Sequence, residues 1–237
     1  MDKALANVKQ LLGEQAAQWY RKYFERVQQM PGANRAFGRI ASAIDKEQLA
    51  DYLVEIQYAL IFSGLSFQVN FEPSGSKGPD LGITRDGQPI IVEITRFRKI
   101  HPGPPALDLS DENLILPEYG NPPRDIRKAF AKILLKFPQV SNQPGIIAIW
   151  NDDEDLEEGE TETAVSDLRS DASRGIRSLP NGLLFVLYGS KWIGNKQLYC
   201  FPVRHLDQPY QTWREELERA TVAGLIRRAL SQPAMGA

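Results

Sequence analysis

The stretch "SKGPDLGITRDGQPIIVEITRFRK", residues 76–99, decides how the chain is read. Its Asp86-Gly87 pair lies between two apolar-rich runs, which is a strong hairpin signal. A two-residue turn sets Arg85 against Gln88, and a four-residue loop centred on the same pair keeps that register. Counting outward, Ile83 faces Ile90 and Leu81 faces Val92, giving one apolar face. Asp80 then faces Glu93 on the other side of the sheet, and an odd bulge would break the arrangement.

Directly opposed side chains have Cβ atoms about 4.5–5.5 Å apart, and like charges placed there are destabilising. A divalent cation would offset the repulsion, since Mg²⁺ takes one or two protein carboxylates and fills its remaining positions with water and phosphate oxygens. A solvated pair, or one bonded to Arg85, Arg96 or nearby backbone, is the plainer alternative.

These residues carry a family resemblance. "GPDLGI…IIVEIT" resembles the PD-(D/E)xK, or restriction-endonuclease-like, nuclease superfamily: Pro79-Asp80 matches the first half of its motif and Glu93 the acid of the second. The expected order of a helix, a three-strand meander, a helix and a further strand over roughly residues 45–150 is similar too. The resemblance implies an α/β fold with a mixed sheet flanked by helices, and Mg²⁺- or Mn²⁺-dependent hydrolysis of phosphodiester bonds in nucleic acid, DNA foremost. It implies Asp80 and Glu93 as metal ligands, with Glu55, in "LADYLVEIQYAL", as a further one. The departure is Thr95, where the family has a lysine that orients the attacking water. Candidates for a displaced cation are Lys77, Lys128 and Lys132. The alternative is a catalytically inactive nuclease-fold protein serving nucleic-acid binding or protein assembly, with Thr95 marking the loss.

The remaining composition narrows the chemistry. The 237 residues are 42% apolar, which supports a real core. A net charge of −2 gives no global positive field, so contact with nucleic acid needs a local patch. Arg124, Lys128, Lys132 and Lys136 recur every fourth residue and offer one, opposite an apolar stripe of Ile126, Ala129, Ile133 and Phe137; the same stripe is equally the wet side of a helix. Only His101 and His205 occur, without cysteine or histidine partners at zinc-ligand spacing. No phosphate-binding glycine loop is present, so carboxylates are left to carry chemistry. Cys200 stands alone, which fits a reducing compartment, and "MDKALANVKQ" lacks the apolar run of a signal peptide, so a cytoplasmic protein is expected.

Apolar spacing predicts one long amphipathic helix over residues 3–30, able to pack on the core or to dimerise, within an N-terminal helical extension 1–44. Residues 45–237 form the expected α/β domain, with Asp45 capping a helix that Gly64 stops. Further helices are expected over residues 124–137, 163–176 and 211–231. The runs "GIIAIW", "GLLFVLYG" and "QLYCFPV" read as strands, and "NDDEDLEEGETE" as a solvated acidic loop. The four tryptophans read as core or interface anchors.

Overall fold

A computed structural model describes residues 1–75, 78–98, 122–152, 158–190 and 197–232. Lys77, Lys99, His101, Trp192 and part of the acidic loop lie outside the described residues.

The hairpin forms with the expected register. β2 (Leu81–Arg85) and β3 (Gln88–Phe97) are antiparallel, pairing Leu81 with Val92, Ile83 with Ile90 and Arg85 with Gln88. Asp86 and Gly87 take φ of 53° and 74°, the two left-handed residues that a type I′ turn demands. β1 (Gln68–Phe71) pairs antiparallel with β2 on its other side. β4 (Gly145–Asn151) and β5 (Leu183–Ser190) continue the sheet parallel to β3, and β6 (Tyr199–Pro202) closes it antiparallel to β5. The spatial order is the chain order, β1 to β6. β4 and β5 are buried throughout, as strands covered on both faces must be.

One face carries α4 (Lys46–Gly64), which Asp45 caps by accepting a 2.7 Å hydrogen bond from the Gln48 backbone N–H. Its apolar residues are not confined to one stripe. Leu49, Leu53, Ile56, Ala59, Leu60 and Ile61 are all buried, because the helix lies between the sheet and other helices. Tyr58 satisfies its hydroxyl inside this layer by donating to the Ile149 carbonyl at 2.7 Å. The other face carries α5 (Pro122–Leu135), a short 3-10 helix (Phe137–Val140) and α6 (Glu158–Ser173), with Ala129, Ile133 and Leu168 at its core.

Four expectations need correction. The single N-terminal helix is two, α1 (Asp2–Leu12) and α2 (Glu14–Val27), because Gly13 between them adopts φ 94°. α3 (Ala33–Ser42) follows, and all three helices pack into the same core as α4 through Val8, Phe24 and Ile40. The final helix is also two, α7 (Tyr210–Arg219) and α8 (Val222–Ser231); Thr221 restarts the chain by accepting from the Gly224 N–H at 3.0 Å. α6 starts earlier than predicted, so Glu158 and Glu160 belong to its first turn, where carboxylates complement the helix dipole. Trp150 and Trp213 are buried as expected, but Trp19 is 59% exposed, its ring 4.8 Å from that of Tyr23. No helix among the described residues is long and apolar enough to cross a membrane.

Candidate active site at the uncovered edge of β3

β2 begins at Leu81, opposite Val92, so residues 93–97 of β3 run on without a β2 partner while still pairing with β4. Side chains from both layers reach this open edge. One further step of the hairpin register puts Asp80 against Glu93. Asp80 supplies what the missing strand would have supplied: its Oδ2 accepts a 2.7 Å hydrogen bond from the Ile94 N–H.

Glu93 and Thr95 share a strand face by alternation, both buried, with Glu93 only 2% exposed. The cation beside Glu93 is Lys136, whose Nζ stands 2.8 Å from Glu93 Oε2. Lys136 follows directly after α5, where the chain enters the 3-10 helix that packs on β3 and β4. Sequence reasoning placed Lys136 in the basic stripe without assigning it to the site; its four-residue spacing from Lys132 was the available signal. Glu93 Oε1 is buried and has no hydrogen-bond partner among the described residues.

A cleft of about 170 Å³ is lined by Asp51 and Glu55 from α4, Asp80, Thr95, Lys132 of α5 and Lys136 just beyond it. Of the residues proposed from sequence, Glu55, Asp80 and Lys132 therefore meet in one place, with Glu93 joined through Lys136. Lys128 does not line this cleft and lies over the Phe97 ring, 5.5 Å from its centroid. Glu55 is held from behind by Arg39, which donates to Oε1 at 3.1 Å, pairs with Oε2, and also reaches Glu72 at 3.2 Å. No local pattern links Arg39, on α3, to this site. Arg96 points to the opposite face from Glu93 and gathers Glu47, Asp51 and Asp152.

Crowding carboxyl groups at a partly dry edge raises their affinity for protons. Burial, reinforced by the Asp80 charge, pushes Glu93 up to about 7 against the pull of Lys136. Burial and then Asp80 push Glu55 up to about 8 despite Arg39. Asp80 is raised as well, again chiefly by burial, with the Ile94 hydrogen bond opposing. Burial lowers the Lys132 ammonium, and neighbouring Arg98, Lys128 and Lys136 lower it further. For Lys136 burial acts downward, but the Glu93 bond and the surrounding acids win and raise it.

The sign of the stability effect follows. A carboxyl group raised in the folded state binds more protons there than in the unfolded chain, so its contribution is full at low pH and is lost as pH rises through the folded value. Ionising Glu93 and Glu55 should thus destabilise the fold between about pH 4.5 and 8, by up to about 1.4 kcal/mol per group per pH unit. A bound divalent cation favours the ionised forms and should recover that loss. Thermal unfolding across this range, with and without Mg²⁺, is expected to show a falling midpoint that Mg²⁺ restores chiefly above pH 7. A flat profile indifferent to Mg²⁺ would contradict the coupling.

The donor set suits a hard cation. Carboxylate oxygens, an unsatisfied buried Oε1 and raised proton affinities all mark a place where positive charge is wanted. Among the described residues no three His, Cys, Asp or Glu side chains form a ready metal cage. Arg39 engages Glu55, which leaves Asp80 and Glu93 as a two-carboxylate set of the kind Mg²⁺ uses. Comparison with protein-family models, with curated proteins and with solved structures finds no match to this chain.

Proposed function

We propose that the chain is a restriction-endonuclease-like, metal-dependent nuclease that hydrolyses phosphodiester bonds, DNA being the first substrate to try. The observation that carries this reading is the meeting of Asp80, Glu93 and Lys136 at the open edge of β3, which supports an acid pair with its lysine delivered from outside the motif strand. Asp80 and Glu93 would hold Mg²⁺ or Mn²⁺, with Glu55 behind them. Such a cation lowers the proton affinity of a bound water and neutralises charge developing at a phosphoryl group.

The chain's own residues do the rest. Lys136 keeps its proton beside Glu93 and offers a fixed positive charge to an anion entering the cleft. Lys132 and Arg98 line the same cleft and favour a phosphate over a neutral ligand. Glu93, beside Lys136 at 2.8 Å, would stand ionised toward a bound cation and serve as its ligand. Thr95 lines the cleft with a neutral hydroxyl and is not asked to supply charge.

The test is incubation of the purified protein with supercoiled, linear and single-stranded DNA and with RNA, in Mg²⁺ or Mn²⁺ and then in chelator, alongside calorimetric titration of the metal. Metal-dependent cleavage of at least one substrate is expected. No cleavage of any of them, together with no heat of Mg²⁺ binding, overturns the reading and leaves an inactive nuclease-fold protein in its place.

A further inference from the structure

A second cavity, larger than the acidic cleft, lies elsewhere on the sheet. It measures about 590 Å³ and lies around the β1–β2–β3 end of the sheet, between the start of β3 and the C-terminal end of α2. Its volume falls inside the roughly 300–1,000 Å³ typical of small-molecule sites. Its lining comes from both faces of the sheet, Val69, Ile83 and Ile90 from the α4 side and Gly82 and Thr84 from the other. Gln68 and Asn70 of β1 pair with Thr84 and Gly82 of β2, and these four residues line the cavity. Gly82 and Thr84 share a strand face with Asp80, so Asp80 and Gly82 are neighbours along one face, roughly 6–7 Å apart.

The two sites differ in chemistry. The cleft is crowded with charge, whereas among the described residues the one charge lining the cavity is Arg26, already joined to the Gln232 carbonyl and Oε1 at 3.3 Å each. The lining is otherwise apolar or amide and hydroxyl in character. Met30, Phe67 and Pro89 supply flat or pliable apolar surface, and Gln29, Gln68, Asn70 and Gln143 supply donors and acceptors. Ser63, 1% exposed, also lines the cavity, and its hydroxyl is buried without a hydrogen-bond partner among the described residues. A buried hydroxyl left unsatisfied is costly, and a ligand group could relieve it.

We infer that this cavity receives a nucleobase of the strand whose phosphate lies in the cleft lined by Asp80 and Lys136. Among the described residues Arg26 is the cavity's one charge, and it is already engaged by Gln232. An uncharged heteroaromatic ring with hydrogen-bonding edges matches apolar walls set with amides, the groups that read base edges elsewhere. The proximity of Asp80 and Gly82 lets one nucleotide place its phosphate in the cleft and its base in the cavity. The assignment rests on the phosphodiester reading of the cleft and gives it a specificity-determining pocket on single-stranded or locally opened nucleic acid.

The experiment uses free nucleosides, which carry no phosphate and so cannot bind through the basic side of the cleft. Adenosine, guanosine, cytidine and thymidine are titrated into the ¹⁵N-labelled full chain without metal, following backbone amide shifts. At least one nucleoside should shift Gly82 and Asn70 saturably while leaving Lys136 unmoved. Thr84→Trp, which fills the cavity from its floor at a strand position tolerant of aromatics, should lower that affinity about tenfold or more. Asn70→Ala is the milder second variant and should lower it by about threefold to tenfold. Absence of any shift at millimolar nucleoside overturns the inference, as do shifts that survive both substitutions. Asp80→Asn should bind nucleosides normally, so loss of the cleavage reading and loss of the base pocket appear in different measurements.

Discussion

Replacing Lys136 by methionine is expected to lower phosphodiester cleavage by about 10²–10³-fold, the cost of removing one preorganised charge from a site where charge develops. The expectation follows from position. Lys136 Nζ is 2.8 Å from Glu93 Oε2, while Thr95, two residues along the strand from Glu93, contributes only a hydroxyl. Methionine keeps most of the aliphatic length, so the local packing survives and the lost element is the ammonium. Two companion variants sharpen the result. Asp80→Asn should be at least as damaging, because it removes a proposed metal ligand. Thr95→Lys, made in the Lys136→Met background, should recover roughly tenfold or more by returning a cation to the same cleft. Removing Lys136 also removes the group that holds Glu93 down, so the acid limb of any residual pH–rate profile should move upward. If Lys136→Met cleaves like the wild type while Asp80→Asn is dead, the lysine has no part in the reaction.

Arg96→Ala should destabilise the fold by about 3 kcal/mol, read from the urea midpoint. Arg96 is buried and donates to Glu47 at 2.7 Å, to Asp51 at 2.9 Å and to Asp152. It also donates to the Glu47 carbonyl at 2.9 Å, which ties the first turn of α4 to the ends of β3 and β4. Loss of the guanidinium does not strand all three acids equally. Glu47 is well exposed and Asp51 keeps Arg98, whereas Asp152 is mostly buried and keeps the Trp150 indole N–H at 3.2 Å. That asymmetry sets the expected cost at the lower end of the 3–5 kcal/mol that follows breaking a buried pair. Arg96→Lys should recover little, since a single ammonium cannot reproduce the fork that meets three partners. A loss below about 1 kcal/mol for Arg96→Ala would show that water replaces the network.

Much of the sheet was legible in the sequence because its signals are local. The Asp86-Gly87 pair dictates a turn, and a period of two then carries Ile83 to Ile90 and Leu81 to Val92 without further information. The buried strands β4 and β5 announce themselves as continuous apolar runs. Helix boundaries were less accessible. A single Gly13 inside a good amphipathic pattern is compatible with a helix interior, and only tertiary packing decides that it breaks there. The site divides in the same way. Its acids follow from register and resemblance, whereas Arg39 and Lys136 arrive from other elements by folding. Lys136 was half visible, as the last step of a stripe whose earlier members, Lys128 and Lys132, are no worse candidates by spacing alone. Burial of α4 on several sides also hides in the sequence, where a helix in such a setting shows little contrast between faces.

The bond from the Ile94 N–H to Asp80 has a meaning apart from any reaction. A bare strand margin is an invitation to a stranger's strand, and chains avoid it by lodging charge there. Asp80 stoppers that margin with its own carboxylate, so a version of this protein stripped of all catalysis would still have reason to keep the aspartate. Of the two acids, Glu93 is the one whose presence folding does not ask for, and its identity bears more directly on whether the cleft works.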